Sequence, residues 1–251
     1  MEVLLLKVTL TPSLILIASL TAKRIGPRFS GRLLGLPLTT GPFLTLIWLE
    51  AGPGTAASAA HGAALGQLTV VVFCLAYATA AVHIGPAAAL SLSVLCGLMV
   101  AAAAILANSL WLCVAAPIAA ILYRPALAAA EPGRPSRWDL PVRVVAAGGL
   151  VVLLTATTPL LGPVLAGALA ALPMVSLVLA PSMHRSSGGA AAVGLLTGVL
   201  ISAASTMAFL VVVAVAMVPL GPLTAFGLGV AALVITDLTT RGLRSRRTTT
   251  V

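Results

Sequence analysis

Residues 194–217, GLLTGVLISAASTMAFLVVVAVAM, form a run of 24 residues without a single charge. About 20 such residues in a helix cross the hydrocarbon core of a bilayer. Blocks of this kind recur along the 251-residue chain, which is 60% hydrophobic and only 8% charged, with a mean hydropathy of +1.16. A soluble domain carries about 25% charged residues, so a water-exposed globule is excluded. A β-barrel would alternate polar and apolar residues over strands of about 10 residues, and no such pattern occurs. The reading is an all-α integral membrane protein. Its wealth of Gly (23) and Pro (17), with 4% aromatics, suits closely packed transmembrane helices.

Nine spans are expected, near 3–22, 33–49, 62–82, 85–106, 107–123, 140–158, 168–182, 194–217 and 221–238. Residues 1–22 carry Glu2 and Lys7 and no small-x-small cleavage site, so they read as a span rather than a removed signal. Basic residues decide the orientation. Lys23, Arg24, Arg28 and Arg32 precede the second span, while Arg124, Arg134, Arg137 and Arg143 border the sixth. Arg185 follows the seventh, and Arg241, Arg244, Arg246 and Arg247 follow the ninth. Nine spans put 13 of the 14 basic residues on one side, with Lys7 the exception. That side is expected to be cytoplasmic, with the N-terminus outside and the C-terminus inside a plasma membrane. The same loops account for the net charge of +9 without nucleic acid.

A shift of 136 positions superposes the two halves without a gap. Gly26-Pro27, Gly31, Pro37, Gly52, Gly62 and Gly85-Pro86 fall on Gly162-Pro163, Gly167, Pro173, Gly188, Gly198 and Gly221-Pro222. These eight Gly and Pro matches compare with roughly one expected by chance, so the chain reads as a duplication. The expected organisation is a first four-helix repeat at 1–106 and a connecting helix at 107–123. A basic linker follows at 124–139, then a second four-helix repeat at 140–240 and a basic tail at 241–251. Five crossings between equivalent points would invert the second copy, the construction of many secondary transporters.

The shared element G-P-x3-G-x-L-x2-L-P, at 26–37 and 162–173, opens an apolar helix in each copy. With Leu172-Pro173-Met174-Val175-Ser176 leading to His184, it resembles small bacterial membrane proteins of the GlpM type. The resemblance covers about 25 residues per repeat, and the first copy departs from it in having Trp48 where the second has His184. It implies a multi-span inner-membrane protein and no particular chemistry.

Polar groups inside spans are few, and ionisable ones there are functional candidates. Lys7 and Glu50 stand near the same outer face, where they could pair or simply snorkel. His61 and Gln67 fall at the outer end of the third span, and His61 could carry a proton. Asp237 ends the last span near Arg241, the setting of an ordinary helix-end ion pair. Lys7, Glu50, His61 and Asp237 are therefore the candidates for coupling or gating. For solute contact the candidates are Pro37, Thr39 and Thr40 in one copy and Pro173 and Ser176 in the other. Proline donates no backbone hydrogen bond, so it loosens its helix and frees carbonyls beside these hydroxyls. A packing kink is the alternative. No catalytic motif, metal-ligand cluster or phosphate loop is present, and no cofactor or metal is expected.

The function expected is transport of a small neutral, weakly anionic or amphipathic solute by alternating access, with the lipid bilayer as surroundings. A homodimer is compatible with so apolar a surface. The alternatives are a membrane-embedded enzyme acting on a lipid or isoprenoid, and a non-catalytic membrane partner subunit.

Overall fold

The computed structural model describes residues 24, 32, 36, 37, 40–107, 162–171 and 173–248. Six helices account for nearly all of these: α1 (Thr40–Ala80), α2 (Pro86–Ala107), α3 (Gly162–Ala170), α4 (Met174–Ser187), α5 (Gly189–Ala216) and α6 (Pro222–Thr248). Among the described residues, four stretches are long and apolar enough to cross a membrane: Phe43–Ala80, Pro86–Ala104, Gly189–Ala216 and Pro222–Thr240. The protein is thus a helical membrane protein. The expected spans at 3–22, 107–123 and 140–158, Lys7, Thr39 and the linker 124–139 lie outside the described residues.

At 41 residues α1 would be about 60 Å long if straight, twice a hydrocarbon core. It is not straight. Gly52 takes φ 84° and ψ 173°, a conformation open to glycine but strained for other residues, and divides α1 into arms 40–51 and 53–80. Pro53 then occupies the first turn of the second arm, where its missing N–H costs nothing. The third helix therefore begins at 53, in the Ala/Gly-rich stretch 52–66 expected to open it and ahead of the span at 62–82. Its Ala-rich first turns suit this, because alanine is the best helix former. The same Gly-Pro start introduces α2, α3 and α6 at Gly85-Pro86, Gly162-Pro163 and Gly221-Pro222. Gly188, 136 positions after Gly52, separates α4 from α5 with φ 84° and ψ 164°.

The expected seventh span, 168–182, is not one helix. It is interrupted at 171–173, because Pro173 cannot donate to a carbonyl one turn back.

The arm 53–80 and α5 form the centre. Residues 70–81 of the arm share one buried cluster with 191–203, and residues 56–68 share another with 207–217, so the two run antiparallel. Of the membrane-crossing windows, 78% and 72% are buried in these two helices, against 22% in α2 and 11% in α6. The outer pair presents Leu95, Leu98, Met99, Val230, Val234 and Ile235, the surface a bilayer requires.

Small residues set the closest approach. Gly62 and Gly66 of α1 lie on the backbone of α3 at Val164 and Ala168, and Gly167 lies on Ala59. A β-carbon at Gly66 would stand 2.9 Å from the Ala168 Cα. This is backbone-to-backbone packing of the small-x3-small kind.

Candidate functional site

The two proline elements adopt one local geometry. The Pro37 carbonyl accepts from the Gly41 N–H at 2.9 Å, and the Pro173 carbonyl accepts from the Leu177 N–H at 2.8 Å. Pro37 lies in a bend ahead of α1, and Pro173 directly precedes α4. No side chain caps the start of α4. Both prolines are half-buried, whereas Thr40 and Ser176 are buried, 5% and 3% exposed. Phe43 and Leu44, one turn beyond Thr40, share a buried cluster with Ala171 in the break before Ser176. The two breaks thus border one region of the core.

The remaining hydroxyls show how unusual a free one is here. Thr45, Thr79, Ser93, Thr197 and Ser202 each donate to a carbonyl one turn earlier in their own helix. This back-bonding is the ordinary way to satisfy a hydroxyl in an apolar helix. Thr69 Oγ1 and Ser205 Oγ are both buried with no hydrogen-bond partner. They stand 136 positions apart on the two central helices, and Thr69 lies against Gly97 of α2. Sequence reasoning passed over both, although the 136-residue shift pairs them. Gln67 is 4% exposed and sits mid-arm, not at a helix end as expected. The longer helix moves it inward.

Charge is placed differently from expectation. Asp237 of α6 accepts from Arg32 at 2.8 Å, in a pair whose side chains are 22% and 15% exposed for Arg32 and Asp237. The sequence offered only the neighbouring Arg241 as a partner. A pairing over 205 residues is invisible to local spacing, and the Arg241 side chain lies outside the described residues. Glu50 is exposed at the end of the first α1 arm, and His61 is half-buried.

His184 packs against Tyr77. Its ring meets Tyr77 edge-on, with centroids 6.0 Å apart, and Nδ1 lies 3.3 Å from the Tyr77 hydroxyl. Burial lowers the His184 pKa from its ordinary value of 6.5. At the other end of the molecule, Trp48 stacks obliquely on Phe226, and Phe226 on Phe209.

Among the described residues no group of three His, Cys, Asp or Glu side chains could hold a metal ion. Cys74 is buried and Cys96 half-buried, both unbonded, and Cys113 lies outside the described residues. No protein-family model matches the chain, and no curated protein or solved structure matches it.

Proposed function

We propose that the protein is a multi-pass plasma-membrane transporter or permease, built from two inverted four-helix repeats around a fifth span. It carries a small neutral, weakly anionic or amphipathic solute by alternating access. One observation carries this reading. The arm 53–80 and α5 start after glycines 136 positions apart with the same φ of 84°, have the same length, and pack antiparallel. Antiparallel packing of equivalent helices is what an in-plane pseudo-twofold axis produces, and two such halves can exchange inward-open and outward-open shapes. The nine-span count and cytoplasmic C-terminus rest on the distribution of basic residues. The pairing of Arg32, from the first basic loop, with Asp237, at the end of the last span, is consistent with both lying at one side.

The solute site in this reading lies at the two breaks. Thr40 and Ser176 offer buried hydroxyls three residues beyond Pro37 and Pro173, in an apolar setting. Neutral donors and acceptors suit an uncharged or weakly charged solute better than a multivalent ion. The test is a panel of neutral and weakly anionic solutes, screened by thermal shift of the purified protein and then by flux into proteoliposomes. Thr40→Val with Ser176→Ala should reduce flux of the responding solute at least tenfold while leaving the yield of folded protein unchanged. Flux no greater than in protein-free vesicles for every solute, or a double variant with full flux, would overturn the proposal.

A further inference from the structure

One stripe of the arm 53–80, at spacings of three and four, comprises Gly62, Gly66, Thr69, Phe73 and Tyr77. Its first part lies on α3, with Gly62 at Val164 and Gly66 at Ala168. Its last part meets α4, where Tyr77 packs on His184. The contacts advance along both partners in step, so Thr69 is level with the break between α3 and α4 at 171–173. Where α3 continues, its backbone leaves no space for a β-carbon on the stripe; where it stops, the stripe carries a hydroxyl. A β-carbon on Gly97 of α2 would stand 3.1 Å from the Thr69 methyl carbon, so α2 flanks the same place. Ser176, in the first turn of α4, is buried just beyond the break. Thr69 is 5% exposed, and its hydroxyl has no partner although the Leu65 carbonyl lies one turn back. Ser205, also without a partner, takes the equivalent place on the α5 stripe Gly198, Ser202, Ser205, Phe209 and Val213.

The geometry points to Thr69 as a solute-binding residue at the α3–α4 break, acting with Ser176 on an uncharged hydroxyl or amide group of the solute. The inference rests on the transport reading; it adds a residue to that site and narrows the class of solute. A hydroxyl both donates and accepts, so a pair of them is matched by a group that does both. Leaving the Thr69 hydroxyl unpaired costs free energy that back-bonding would recover, and a bound group supplies the missing partner. Charge is disfavoured, because the arm 53–80, α2 and α3 hold no Asp, Glu, Lys or Arg, and α4 holds only Arg185, near its far end. Weakly anionic solutes are thereby set aside. Thr69 is closed off from solvent in this conformation, so the group reaches it only when the helices part at the break, a movement that alternating access supplies.

The test reconstitutes the full chain into proteoliposomes and follows the entry of glycerol and of urea by light scattering. The protein should speed entry of at least one probe over protein-free vesicles; glycerol assigns a hydroxyl and urea an amide. Thr69→Val should lower that protein-dependent entry about fivefold, the effect of one lost hydrogen bond. Thr69→Ser, which keeps the hydroxyl, should recover most of it. The unfolding temperature of Thr69→Val should not fall, because an unpaired hydroxyl contributes nothing to the folded state. Entry unchanged in Thr69→Val but reduced in Ser176→Ala would remove Thr69 and leave the transport reading standing. Entry of neither probe above protein-free vesicles would overturn the inference, and the wider solute panel would then decide the transport reading. Reduced entry together with a lower unfolding temperature would also overturn it, because the hydroxyl would then be holding the fold together and not the solute.

Discussion

Gly62→Ala is the sharpest single perturbation of this fold. A β-carbon there points into the Val164 carbonyl and lies 2.6 Å from its carbon and 2.8 Å from the Val164 Cα. Carbon atoms rest at about 3.5–4.0 Å, so α3 would have to retreat by about 1 Å. The obstacle is backbone, and no rotamer change relieves it. A retreat of that size forfeits up to half of the dispersion energy along the contact, and overpacking typically costs 1–3 kcal/mol. Alanine returns about 1 kcal/mol of helix propensity, leaving a net loss of about 2 kcal/mol with the cost near its upper limit. Gly227 on α6 supplies the control, since nothing lies within 4 Å of a β-carbon there. Gly227→Ala should stabilise by about 1 kcal/mol, so the same chemical change at two sites should differ by about 3 kcal/mol. Thermal unfolding in detergent can be followed with a thiol-reactive fluorophore, because Cys74 is fully buried until the helices part. A Gly62→Ala protein as stable as Gly227→Ala would refute the close approach of α1 and α3.

Thr69→Val and Ser205→Ala remove buried hydroxyls without partners, and should each raise stability by about 1 kcal/mol in the same assay; a loss of that size would mean that the hydroxyl has a partner. Burial lowers the His184 pKa, so the unfolded chain binds the proton more readily. Stability contributed by neutral His184 should be complete above its unfolded value of 6.5 and should decline as pH falls through that value. Unfolding measured between pH 7.5 and 5.5 should show this decline shrinking in His184→Gln, and an unchanged pH profile would exclude the residue as its source. Under the proposed topology, single cysteines at 28 and 135 should resist impermeant reagents in intact cells, whereas one at 163 should react. External labelling at 28 would reverse the orientation.

Much of this architecture is legible in the chain itself. Uncharged runs such as 194–217 demand helices in a bilayer, because no other open structure satisfies its own backbone there. The Gly-Pro pairs at 52, 85, 162 and 221 mark helix starts, since proline costs nothing in a first turn and glycine tolerates the positive φ found at 52, 162 and 221. Small-x3-small spacing at Gly62 and Gly66 announces a close contact, though not its partner. Other features depend on tertiary placement. The break at 171–173 could be read as a kink or an end, and the core decided by starting α4 at Met174. Asp237 had a nearby candidate in Arg241, yet folding also brings it to Arg32, a partner 205 residues away in the chain. His184 sits beside Arg185 in the sequence, yet packing against Tyr77 gives it a partly desolvated setting. Hydropathy and turn chemistry act within a few residues and so can be read locally. Burial of a hydroxyl, the partner of a charge and the depth of a glutamine are properties of neighbours that only the packed helices supply.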